Sequence, residues 1–149
     1  MSLLEYSEQT ANPEISSVAG TALVEIRSSL SRGHGLFATQ DLAAGLEVMS
    51  CVAKDLTEIS SEMPFSMAQY LFAHPDYFSE HNTDRRYLMV CGEMVFLNHC
   101  DTANCLVSWV TKHHGLLYAQ LRSKKPIRKD DELTIRYTDS CDYQIHGYF

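Results

Sequence analysis

Three stretches of the chain carry residue types that do chemistry, at spacings a simple strand connection does not need. Phe96-Leu97-Asn98-His99-Cys100-Asp101-Thr102-Ala103-Asn104-Cys105 runs from an apolar pair into two amides, an imidazole and a carboxylate. Buried polar groups of this kind need hydrogen-bond partners or cost about 1–3 kcal/mol each, so the cluster implies a network or a ligand. A loop built on Asx turns would satisfy the same residues. Ser31-Arg32-Gly33-His34-Gly35-Leu36-Phe37-Ala38 sets two glycines around one residue, which lets a ligand approach the main chain, although a plain turn between strands uses the same pattern. It is not a dinucleotide fingerprint, because the third glycine and the following helix pattern are missing, and no GxxxxGK phosphate loop is present. Lys124 to Tyr137 reads as a basic turn containing Pro126, then an acidic turn, then a strand ending in a tyrosine that core packing alone would explain.

The five cysteines stand at 51, 91, 100, 105 and 141. An odd number without paired spacing is poor material for a disulfide framework and fits free, mostly buried thiols in an intracellular protein. With no CxxC or CxC, a structural zinc cluster has no support and no metal ligands are expected. Cys100, Cys105, His99, His113 and His114 could serve a thiol hydrolase or a metal site only with a positioned base and a depressed thiol pKa. Neither is visible, and His113-His114 reads as an exposed turn.

The elements that must position these residues are short strands. Thr21 to Arg27 alternates, setting Ala22, Val24 and Ile26 on one face and Glu25 and Arg27 on the other. Leu46–Val52, Leu106–Val110 and Leu116–Arg122 are further candidates, and Leu133, Ile135 and Tyr137 fall on one face of a fifth. Helical spacing predicts one helix over Pro64–Ala73, with Phe65, Ala68, Leu71 and Phe72 as its stripe, stopped by His74-Pro75-Asp76. The fold class is therefore mostly β, with one short helical insertion. With 149 residues and 45% apolar composition, the chain suits a single domain with its own core. No run approaches the roughly 18 apolar residues of a membrane span, and Met1 to Gly20 is no signal peptide. A net charge of −7 argues against nucleic-acid binding and suits a cationic partner or substrate, or simply solubility.

Taken together and in this order, the three segments resemble the SET domain of protein lysine methyltransferases. Ser31 to Leu46 is similar to the family's opening Gly-x-Gly motif and its continuation. Phe96 to Asn104 is similar to F-x-N-H-x(4)-N, and Pro126 to Tyr137 to the closing P-I-x-x-G-[DE]-E-L-T-x-x-Y, with Asp130 in the usual Gly place. The resemblance implies a SET fold over residues 20–140, several small curved sheets around a C-terminal pseudoknot. Residues 1–19 would then be an N-terminal extension, 54–86 an insertion that selects substrate, and 141–149 a short tail in place of a post-SET segment.

It further implies S-adenosylmethionine as cofactor and methyl transfer to the ε-amine of a lysine, on a histone by preference or on another protein, in the nucleus or cytoplasm. No direct nucleic-acid or membrane contact is implied, and a homodimer is compatible with it. By the match, Arg32, Gly33, His34 and Gly35 line the cofactor. Asn98 bonds it through its side chain and His99 mainly through its backbone, while Asn104 braces the pseudoknot. Tyr137 is the catalytic tyrosine at the methyl-transfer pore. The family's tyrosine after Gly45 is replaced in the stretch Cys51-Val52-Ala53-Lys54, so the channel is assigned to Cys51, Tyr70, Tyr87 and Tyr137, with Tyr77 a further substitute. Tyr143, Tyr148 or Phe149 would close over the adenine. The same departure at Cys51 leaves a second reading open, a catalytically weak or inactive SET module acting in protein binding or assembly.

Overall fold

Short runs of β-branched and apolar residues pair into two sheets in a computed structural model that describes residues 22–30, 32–62, 64–68, 70–74 and 86–137. In chain order the elements are β1 (Val24–Ser29), β2 (Gly33–Ala38), β3 (Glu47–Asp55), α1 (Phe65–Ala68), β4 (Phe72–Ala73), β5 (Tyr87–Val90), β6 (Asn98–His99), β7 (Cys105–Thr111), β8 (Leu117–Ser123) and β9 (Glu132–Ile135). The smaller sheet has the order β1-β2-β9-β6, antiparallel except for the parallel β6–β9 pair. The larger sheet, β4-β5-β3-β8-β7, is antiparallel throughout.

One apolar core joins them. Leu36, Ala38, Leu133 and Ile135 come from the smaller sheet, Leu88, Val90, Ala119 and Leu121 from the larger, and Leu42, Met94, Leu97 and Ile127 from the connections. Two reciprocal backbone bonds between Leu42 and Ile127, of 2.8 and 3.0 Å, tie those connections together. The buried Ser123 hydroxyl donates to the Ala43 carbonyl at 2.6 Å and accepts from the Leu46 amide at 2.9 Å, satisfying loop groups that would otherwise be buried unpaired.

The mostly-β reading holds, with three local differences. The helix expected over Pro64–Ala73 is confined to Phe65–Ala68, and Phe72–Ala73 forms β4 against Leu88 and Tyr87. A single turn has little intrinsic stability, and Phe72 gains more by pairing in the sheet and meeting the Trp109 ring edge-on at 6.0 Å. The Gly33–Gly35 stretch, for which a plain turn is one of the two readings, is strand: Arg27, Ser28 and Ser29 pair with Gly35, His34 and Gly33. In β1, Val24 is buried but Ile26 is 40% exposed, because β1 is an edge strand that the core covers at one end only. Its outer residues interact instead: Arg27 pairs with Glu25 and, at 2.8 Å, with Asp130, and stacks 5.6 Å from the centre of the Phe37 ring.

Leu121, fully buried on β8 between β3 and β7, gives a direct test of this core. Leu121→Ala is expected to cost about 2–5 kcal/mol in urea unfolding. A loss below about 0.5 kcal/mol, the scale of a surface substitution, would contradict the packing described.

Candidate functional site

β2, β6 and β9 bring residues from three distant parts of the chain within hydrogen-bond reach. β9 lies between the other two, so its outward Glu132 side chain faces both. The Asn98 amide donates to the His34 carbonyl at 3.0 Å and to Glu132 Oε1 at 2.6 Å, and Ser29 Oγ lies 3.3 Å from Glu132 Oε2. Both amide hydrogens of Asn98 are thereby committed, leaving Oδ1 as an acceptor. Gly35 permits this arrangement, since a Cβ there would collide with the Glu132 carboxylate and lie 3.0 Å from Asn98 Nδ2. Gly33, at φ +74°, adopts a conformation that a side chain would strain, beneath space with no heavy atom within 4 Å of a Cβ position. Arg32 reaches across to donate to the His99 carbonyl, and the His34 ring packs edge-on to Phe96 at 6.3 Å.

His99 is buried, and its ring joins this cluster to the end of β9. Nδ1 accepts the Tyr137 amide at 3.0 Å, so Nε2 carries the proton and donates to Asp101 Oδ1 at 3.1 Å. The Tyr137 ring lies 5.4 Å from the imidazole, and its hydroxyl donates to the Leu97 carbonyl at 2.6 Å. Burial raises the Tyr137 pKa above its ordinary value, holding the phenol neutral. Asn104 braces the same strand, its Nδ2 donating to the Glu132 carbonyl at 2.8 Å and its Oδ1 accepting the Thr134 amide at 2.9 Å.

Tyr137 also borders a cavity of about 280 Å³, whose walls include Tyr70, Phe72, Tyr87, Met94 and Val107. Tyr70, Tyr87 and Tyr137, three of the four residues assigned to a substrate channel, border it together. Cys51 does not: its sulfur packs against Gly92 and accepts the Met94 amide, behind the residue that forms the wall. Arg32, Gly33, His34, Gly35, Asn98 and His99 do not line the cavity, whereas Leu97 and Tyr137, joined by their hydrogen bond, both do. Tyr77, Tyr143, Tyr148 and Phe149 lie outside the described residues.

Three further residues belong to the site and were not singled out from the sequence. Glu132 reads there as the last member of an acidic turn, and only the sheet order reveals that it holds Asn98. Lys124 and Arg136 border the cavity, which no linear pattern signals.

Among the described residues, the thiols do not form a nucleophilic centre of the kind considered. Burial pushes the Cys105 thiol up to about 12. Cys100 is lowered, mainly by its contact with Thr102 at 3.5 Å, but the ring nitrogens of His99 meet Tyr137 and Asp101. His114 is exposed in the left-handed region, at φ 64°. Among the described residues, no group of three or more His, Cys, Asp or Glu side chains could hold a metal ion, and no helix is long and apolar enough to cross a membrane.

Small sheets converging on an Asn-His strand, held beside the last strand with a tyrosine at the meeting point, define a SET-type fold. The SET domain pattern matches residues 33–138, and the chain belongs to the SET domain family. Its fold is similar to that of a solved Plasmodium falciparum protein named as a candidate histone methyltransferase. The TM-score is 0.60, at 22% identity over 76% of this chain and 91% of that one. No curated protein sequence matches the chain.

Alkylation separates the thiol environments. Iodoacetamide at about pH 8 is expected to modify the exposed Cys91 and the partly exposed Cys100 in the native protein and to spare Cys105 until unfolding. Native-state modification of Cys105 as fast as Cys91, read by peptide mass spectrometry, would contradict the burial described.

Proposed function

We propose that the chain is an S-adenosylmethionine-dependent protein-lysine N-methyltransferase. The observation that carries this reading is the place of Tyr137, which borders the aromatic cavity and also bonds the Leu97–His99 segment that presents Asn98. Histone is the favoured substrate class, supported by family membership and by the name of the Plasmodium neighbour.

The residues along Gly33–Gly35 fit the donor. The backbone is bare over Gly33, and Asn98 Oδ1 offers an acceptor to an ammonium group, its amide being locked by His34 and Glu132. When bound, S-adenosylmethionine supplies a methyl group on a positively charged sulfur. The protein's own contribution is alignment and exclusion of water, which supply most of the rate for an in-line displacement by an amine. The apolar and aromatic wall of the cavity desolvates a lysine side chain, lowers its pKa and favours the neutral, nucleophilic form. The Tyr137 hydroxyl donates a hydrogen bond to the Leu97 carbonyl. Its oxygen keeps a lone pair that can accept an amine hydrogen or a weak contact from a polarised methyl group.

The departure at Cys51 had favoured a non-catalytic module. That sulfur stands behind Met94, whereas Tyr70, Tyr87 and Phe72 supply the aromatic wall, which supports catalysis over the module.

Tyr137→Phe is expected to lower turnover by about tenfold or more while leaving S-adenosylmethionine affinity nearly intact by calorimetry. Turnover equal to wild type, measured with radiolabelled donor on mixed histones and cell lysate, would remove Tyr137 from the role. Donor binding by the wild-type protein with no transfer to any lysine would favour the module.

A further inference from the structure

The charge around the cavity opposes that of the chain. The protein carries −7 overall, yet among the described residues the only charged ones bordering the cavity are Lys124 and Arg136, and no described carboxylate borders it. Both are exposed, and neither side chain has a hydrogen bond or ion pair among the described residues. Their backbones are nonetheless well fixed. The Lys124 amide donates to the Asn104 carbonyl at 2.8 Å, and Arg136 sits between Ile135, whose carbonyl accepts the Cys100 amide, and Tyr137.

Two cations with anchored backbones and no partner among the described residues, beside a cavity proposed to receive a cationic lysine, are unfavourable for a uniformly basic substrate segment. Like charges brought together at an interface are penalised, and opposite charges set specificity and register. At physiological salt the effect reaches only about 8 Å, so the overall −7 steers encounter while these cations act on the residues beside the acceptor. We propose that Lys124 and Arg136 form an anion-reading rim and select an acceptor segment with a carboxylate side chain within about two residues of its lysine, since an extended chain advances about 3.3 Å per residue. This rests on the methyltransferase reading and narrows it, from basic tails in general to lysines with an acidic neighbour. The donor's own carboxylate does not account for the rim, because Gly33, Gly35 and Asn98, proposed to hold that molecule, do not border the cavity.

The test uses the full chain and rhodamine-labelled peptide pools of the form X-X-Lys-X-X, with Glu or Arg fixed at each varied position in turn. Fluorescence anisotropy is expected to show Glu pools binding about fivefold tighter than Arg pools at low salt, with the preference shrinking as salt rises. The Lys124→Gln/Arg136→Gln protein, checked for an unchanged melting temperature, is expected to lose it. If the double variant melts early, each single substitution is expected to remove part of the preference. Equal binding of the two kinds of pool, tighter binding of Arg pools, or no binding by any pool overturns the proposal. Binding is read without turnover, so selective binding of Glu pools without methyl transfer would remove the methyltransferase reading and leave the rim standing.

Discussion

The site depends on how the four-residue strand β9 is held. On one side it pairs antiparallel with β2, setting Leu36 opposite Leu133, and on the other it runs parallel to β6, setting Asn98 opposite Thr134. So short a strand, with a parallel neighbour of only two residues, has few backbone bonds of its own. Asn104 adds the missing ones: one side-chain amide takes the Thr134 N–H and gives to the Glu132 carbonyl. Every functional contact then follows from this placement. Glu132 is held where it can lock Asn98, Ile135 receives the Cys100 amide, and Tyr137 emerges where His99 can accept its N–H.

This arrangement divides the polar cluster from the cavity. Asn98 and the glycine strand do not line the cavity, the aromatic side chains do, and the hydrogen-bonded Tyr137 and Leu97 border it as well. The division suits a transfer reaction with two reactants of different character, one held by backbone and amide, the other by ring faces. It also gives charge a local meaning: the chain is acidic overall, whereas the charged residues described at the cavity rim are basic.

Much of this was legible in the chain. Strand candidates fell within a few residues of β3, β7, β8 and β9, and in β8 and β9 buried residues do alternate with half-buried ones. The Asn98-His99 cluster and the Gly33–Gly35 pair stood out because a simple connection has no need of them. What stayed hidden depends on contacts between distant segments. β4 and β6 have two residues each and carry no periodicity of their own; Phe72 is strand because of Leu88 and Trp109, and Asn98 because of Thr134. Glu132 looks like a solvated turn residue until β9 is placed beside β2 and β6. Lys124 and Arg136 become neighbours of one cavity only once β8 and β9 are positioned, and Cys51 leaves the channel wall because Met94 comes between them.

The central claim is that a methyl donor occupies the Gly33–Gly35 and Asn98 side while a lysine approaches through the cavity, the two meeting at Tyr137. A crystal structure with S-adenosylhomocysteine tests it most directly. The expected result is the amino-acid arm along Gly33–Gly35, its ammonium on Asn98 Oδ1, and the sulfur directed toward Tyr137. The compound lodged instead in the aromatic cavity between Tyr70 and Val107, with Asn98 uncontacted, would contradict it.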